Sequence, residues 1–203
     1  MTPTSAEPPE FLEPLRGQTR ILVYGVTGSG KSTLAAKLSQ RSGLPWYAVD
    51  DLTWNPGWVP VADDIQRQRI GDICARDSWI LDAAHGKWLD IPASRVQLPI
   101  GLDYPRWLSF ARLLRRTATH IALRRTTCNG NRETIRNSLA ADSILRWHSR
   151  SFARKRERIR HWAADPLAPQ LLVFSTPAEA AAWLDTVEPV RSGSDHSSHP
   201  DAD

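Results

Sequence analysis

Sulfur and long apolar stretches are what this chain has least of. It holds two cysteines, Cys74 and Cys128, far apart in sequence, and a single methionine. Two distant thiols make neither a disulfide framework nor a cysteine-based metal cage. No apolar run comes near the ~20 residues that a membrane-spanning helix requires. The opening residues are rich in Pro and Glu and lack the basic-then-apolar order of a secretion signal. A soluble, cytoplasmic protein with no membrane partner is the expectation. Tyrosine and phenylalanine are also sparse, so nine tryptophans bring the aromatic share only to 8%. Acidic residues are scarce in one stretch: 106–160 carries fifteen Arg or Lys against three acids, although the whole chain is only +4. A bias of that kind invites an anionic partner.

What is present fits one α/β domain. At 203 residues, 41% hydrophobic and 24% charged, the chain can bury one sizeable core. Residues 1–18 and 188–203 have no hydrophobic periodicity and are expected to be disordered extensions of a domain at 19–187. Within it, short apolar runs at 20–24, 46–49, 79–81, 98–102 and 171–174 read as strands, the continuously apolar 20–24 as one buried on both faces. Between them lie helical patterns at 31–41, 63–76, 106–125, 133–139 and 143–162, with a loop of Trp54, Pro56, Gly57 and Trp58 after the second strand. Thr176-Pro177-Ala178-Glu179 supplies an N-cap, a first-turn proline and an acid three residues on, so a last helix starts there. Alternating strands and helices predict a five-stranded parallel sheet flanked by helices.

Gly25-Val26-Thr27-Gly28-Ser29-Gly30-Lys31-Ser32 satisfies the phosphate-loop pattern G-x-x-x-x-G-K-[ST] in full. It lies between a strand and an amphipathic helix, the context the motif needs. Glycines let the backbone curl so that its N–H groups face phosphate oxygens, and the helix N-terminus adds its positive end. Lys31 would reach the β- and γ-phosphates, and the Ser32 hydroxyl would ligate Mg²⁺. A second acid is expected at a neighbouring strand end to hold the metal's water shell. Asp82 is the first choice and Asp103, which could instead cap the helix after Pro105, is the rival.

Taken together, GxxGSGKST, LPWYAVDDLTWNPGW, WILD, LDYPRW and GNRET…DSILRW resemble the small adenylate-kinase-like P-loop proteins of the topology modulation family, from about residue 19 to 187. The resemblance implies a P-loop NTPase fold with a helical lid at 126–141, and ATP with Mg²⁺ held by residues 25–33, from Gly25 to Thr33. It implies that Asp50 or Asp51 binds or activates an acceptor hydroxyl, turn or cap acids being the competing reading. Trp54 and Trp58 would wall the acceptor pocket or pack in the core. Arg116, Arg132, Arg150 and Arg154 would close over the phosphates, and Ser175 and Thr176 would border the adenine. Where relatives read Asp-Gly-Asn after the third strand, this chain reads Asp82-Ala83-Ala84-His85-Gly86, which changes the acceptor side.

The function expected is a kinase moving the γ-phosphoryl group of ATP onto a small-molecule hydroxyl or phosphate. The alternatives are a regulatory or nucleic-acid-associated ATPase using the basic run at 146–160, or an ATPase without acceptor chemistry. The run spreads over more than one helical face, so nucleic acid is not the expected partner.

Overall fold

The computed structural model describes residues 15, 17–83, 87–123, 126, 128–131 and 142–188; of 128 and 142–150 only the backbone is described. The expected helix at 133–139, most of the expected lid, Arg132, His85, the side chain of Arg150 and nearly all of both extensions lie outside the described residues.

Strand β1 (Arg20–Gly25) is the middle of the sheet because its side chains are apolar in both directions. Ile21 and Val23 enter a core cluster with Leu34, Leu38, Ile100, Phe174 and Trp183. Leu22 and Tyr24 enter a second cluster on the opposite face with Ile70, Trp79, Leu81, Trp88 and Ile159. This period-2 division of one strand between two cores requires helices on both sides. β1 pairs in parallel with β5 (Trp79–Ala83) and with β6 (Leu98–Leu102), Leu22 lying opposite Leu81 and Pro99. Strand β2 (Trp46–Tyr47) adds beyond β5 and β7 (Leu172–Phe174) beyond β6, giving the order β2-β5-β1-β6-β7. The expected five-stranded parallel sheet is the one observed.

Helix α1 (Lys31–Ser42) follows the phosphate loop, and α3 (Asp63–Cys74) and the short α4 (Asp90–Ala93) flank the far side of β5. Helix α5 (Arg106–Ala122) follows β6, and the long α6 (Asp142–Ala164) leads to β7 and α7 (Pro177–Thr186). Thr176 caps α7 as expected: its Oγ1 accepts from the Glu179 N–H at 3.2 Å, while Glu179 Oε2 accepts from the Ser175 N–H at 2.8 Å. Among the described residues no helix is long and apolar enough to cross a membrane.

Three local expectations need correction. The second strand stops at Tyr47, because the Val49 N–H donates to the Asp82 carboxylate at 2.9 Å instead of entering the ladder. The chain then turns into a one-turn helix, α2 (Val49–Thr53), whose first turn holds Asp50 and Asp51, where acids suit the helix dipole. The loop around Trp54 and Trp58 is a small antiparallel hairpin, β3 (Trp54–Asn55) with β4 (Val59–Pro60). Helix α5 ends at Ala122, short of the expected 125.

Candidate functional site

The phosphate loop sits at the carboxyl end of β1, between β5 and β6, where parallel sheets place ligand crevices. Gly28 has φ +82°, and a Cβ there would lie 2.3 Å from the Ser109 carbonyl oxygen of α5. The loop is thus wedged under α5 by backbone contact that only glycine permits. Ser29, 1% exposed, keeps an Oγ that is buried and has no hydrogen-bond partner among the described residues. Lys31 is buried and its Nζ donates to the Val26 carbonyl at 3.0 Å, folded back across its own loop. Burial pulls the Lys31 ammonium below its ordinary pKa, against the nearby charges of Asp82 and Asp50, with Arg116 adding to the depression.

Asp82, at the end of β5, meets the first turn of α1 from below. Its carboxylate accepts from the Val49 N–H at 2.9 Å, and the Ser32 hydroxyl lies near enough to act on its ionisation. Burial pushes its pKa up; the Ser32 and Val49 hydrogen bonds and the Lys31 charge act against this, and Asp50 adds to the rise. Asp103 does not cap α5. The helix starts after Pro105 without a side-chain cap bond, and Asp103 pairs with Arg156 of α6, Oδ1 to Nε 2.8 Å. That ion pair ties the end of β6 to α6.

A cavity of about 510 Å³ opens above the loop, lined by residues 28–34 and Lys37 below, by Tyr104, Arg112 and Arg116 on one wall, and by Pro177, Ala180, Ala181 and Leu184 of α7 on the other. Arg112 is a site residue that sequence reasoning missed. It lies one turn before Arg116, packs over the Tyr104 ring at 5.8 Å and donates to the Ser29 carbonyl at 3.3 Å. The i, i+4 spacing from Arg116 was the available signal. Ser175 and Thr176 are engaged in the α7 capping box and do not line the cavity; the wall on that side is the apolar face of α7.

On the acceptor side, Asp50 is exposed and stands in the electrostatic field of Lys31, Asp82 and Lys155. Asp51 is also exposed, and its carbonyl accepts from Asn129 Nδ2 at 2.8 Å. Trp54 and Trp58 are half-buried and meet edge-to-face, centroids 5.8 Å apart. Trp58 has φ +59° and donates its N–H to Asn131 Oδ1 at 2.8 Å, while Asn131 Nδ2 donates to the Asn55 carbonyl at 3.0 Å. The described start of the expected lid is therefore bonded to the tryptophan hairpin. Among the described side chains of the basic run on α6, Arg156 holds Asp103, Arg158 approaches the Tyr24 hydroxyl at 3.5 Å and Lys155 is buried, while Arg154 and Arg160 are exposed.

The donor set fits a magnesium nucleotide. The orphaned Ser29 hydroxyl, the folded-back Lys31, the Ser32–Asp82 contact and an open cavity above the loop are what bound phosphates and a hard cation would use. No protein-family model and no curated protein matches the chain. In solved structures it is similar to a gluconokinase from Sinorhizobium meliloti 1021, at 16% identity over 84% of this chain and 94% of that one, with TM-score 0.49. It is also similar to a shikimate kinase from Aquifex aeolicus vf5 (16% identity, 82% and 91% covered, TM-score 0.47) and to one from Bacteroides thetaiotaomicron (12%, 83% and 95%, TM-score 0.49). The chain has a P-loop NTPase fold. That assignment stands on its own strand order and phosphate loop.

Proposed function

We propose that this protein is a small-molecule kinase that transfers the γ-phosphoryl group of Mg·ATP to an acceptor hydroxyl. The observation that carries the reading is a complete phosphate loop at the carboxyl end of β1, its Lys31 buried against the Val26 carbonyl under an open cavity and with the Asp82 charge acting on it. Loop N–H groups from Gly28 to Thr33 would hold the phosphates. Lys31 would exchange the Val26 carbonyl for β- and γ-phosphate oxygens, an ion pair replacing a bond to an uncharged acceptor. Ser32 and Asp82 would hold Mg²⁺, which supplies charge neutralisation across the bridging oxygens when bound. The apolar residues of α7 suit the base, and Arg112 and Arg116 flank the phosphates.

Asp50 serves as the acceptor-side base. The acceptor hydroxyl loses its proton to the Asp50 carboxylate as its oxygen forms a bond to the γ-phosphorus. The bond from that phosphorus to the β–γ bridging oxygen breaks, and ADP departs with the electron pair. Asp51 is the weaker candidate, since its backbone is committed to Asn129. Trp54 and Trp58 line the acceptor side, and Arg132, Arg150 and Arg154 close over the phosphates from the lid and α6. The chemistry then rests mainly on positioning and charge neutralisation, as phosphoryl transfer requires.

The test is ADP release from Mg·ATP, alone and with small hydroxylated metabolites, nucleosides and nucleoside monophosphates. Acceptor-dependent release is expected, with Lys31→Ala losing ATP binding and Asp50→Asn keeping binding while losing transfer. Release that stays flat across the whole panel, with ATP bound, would refute the kinase reading for those acceptors.

A further inference from the structure

Helix α6 crosses the carboxyl ends of the two central strands, and three contacts fix its register there. Trp162 packs on the Tyr24 ring with centroids 5.1 Å apart. Ile159 fills the space over Gly101, where a Cβ would lie 3.1 Å from Ile159 Cγ2. Arg156 clasps Asp103. One turn before Ile159, on the same inward face, stands Lys155, preceded on that stripe by buried Ser151 and Phe152. The position asks for an apolar side chain and holds a lysine that is 6% exposed. Among the described residues its ammonium makes no hydrogen bond and no ion pair.

A buried ammonium without a partner is costly, and protein interiors retain one where an anion will meet it. The groups around Lys155 indicate where that anion lies. The charges of Lys31 of α1 and Asp50 of α2 act on it, and Arg154 and Arg158 flank it on its own helix. Tyr24 of β1 faces Arg158, Asp103 after β6 is held by Arg156, and Arg116 of α5 shares the field of Lys31. Lys155 is thus buried on the face of α6 that covers the carboxyl ends of β1 and β6, where the phosphate loop begins, and it feels the charges of the loop lysine and of Asp50.

We propose that Lys155 is a second phosphate-binding lysine, which takes the γ-phosphoryl oxygens from the acceptor side while Lys31 takes them from the loop side. This rests on the kinase reading of the loop and adds to it a residue and a linkage. Burial pulls Lys155 down to about 7, with Lys31, Arg154 and Arg158 acting in the same direction and Asp50 against them. A lysine so placed is partly neutral in the free protein at neutral pH. An arriving γ-phosphate restores its charge, so binding takes up a proton from solution.

The experiment is calorimetric titration of the full chain with Mg·ADP and with Mg·AMP-PNP, a non-transferable analogue bearing the γ-group. Each is run at pH 7 in two buffers of different ionisation enthalpy. Wild type should take up more protons with AMP-PNP than with ADP. Lys155→Met should bind ADP within about twofold of wild type, bind AMP-PNP at least about tenfold more weakly, and lose the excess uptake. Lys155→Arg, always charged, should restore much of the AMP-PNP affinity without the uptake. Thermal unfolding of Lys155→Met at or above the wild-type temperature would show that the fold is intact and that the lysine is not there for stability. Lys155→Met with wild-type AMP-PNP affinity and wild-type proton uptake would overturn the proposal. The kinase reading fails separately: wild type would then bind neither nucleotide, or would bind them equally well as Lys31→Ala.

Discussion

Gly28→Ala probes the contact on which the site is built, the backbone of the phosphate loop against the backbone of α5. The alanine Cβ would lie 2.3 Å from the Ser109 carbonyl oxygen, whereas carbon–oxygen contacts settle near ~3.3 Å. The α5 backbone must therefore retreat by roughly 1 Å, since Ser109 is fully buried and cannot turn aside. Overpacking of that kind costs about 1–3 kcal/mol. The left-handed φ of +82° adds about 1–2 kcal/mol for any L-residue. Gly57→Ala separates the two effects, because Gly57 has φ +80° and nothing within 4 Å of a Cβ. At ~2–4 °C per kcal/mol for a chain of this size, Gly57→Ala should lower the unfolding midpoint by about 2–8 °C. Gly28→Ala should lower it by a further ~2–12 °C on the same scale. Thermal unfolding followed by circular dichroism compares the two variants directly. Mg·ATP titration should also weaken for Gly28→Ala alone, because the displaced helix carries Arg112 and Arg116. Equal midpoints for the two variants would refute the claim that α5 rests on the loop.

Asp82→Asn should stabilise the protein while damaging the site. The carboxyl is raised in the folded state, chiefly by burial, so its stability contribution is full below the unfolded pKa and is lost as pH rises through the folded value. At neutral pH the ionised form opposes folding. The amide keeps an oxygen for the Val49 N–H, and a rise of roughly 1 kcal/mol is expected, with Mg²⁺-dependent nucleotide affinity falling. Unchanged or lowered stability from pH 6 to 8 would contradict the assignment of Asp82 as a strained functional acid. Asn131→Ala removes the bonds to Trp58 and Asn55 from a residue 3% exposed, and should cost about 2 kcal/mol. Limited proteolysis should then cut within the hairpin at 54–60, with Mg·ATP binding retained; an uncut hairpin would show that it stands without the asparagine.

The residues that act through local backbone could be read directly. Gly25 to Ser32 form a phosphate loop because strand, glycines and helix start are contiguous, and Thr176 to Glu179 form a capping box within one turn. The five strands were legible as short apolar runs between helical patterns. Asp82 could be ranked above Asp103 because Asp103 had the competing reading of a helix cap before Pro105, but only folding brings the Asp82 carboxylate close to Ser32 and gives Asp103 to Arg156. Arg112 and Lys155 were passed over for the same reason: in a basic run, sequence spacing does not say which charge faces water. Their roles follow from the crossing of α5 and α6 over the ends of β1 and β6, a relation between segments some 50–130 residues apart. Periodicity is a property of one segment and so is written in the sequence. Whether a charge is exposed, paired or buried depends on what a distant segment places against it, and the tertiary structure alone decides that.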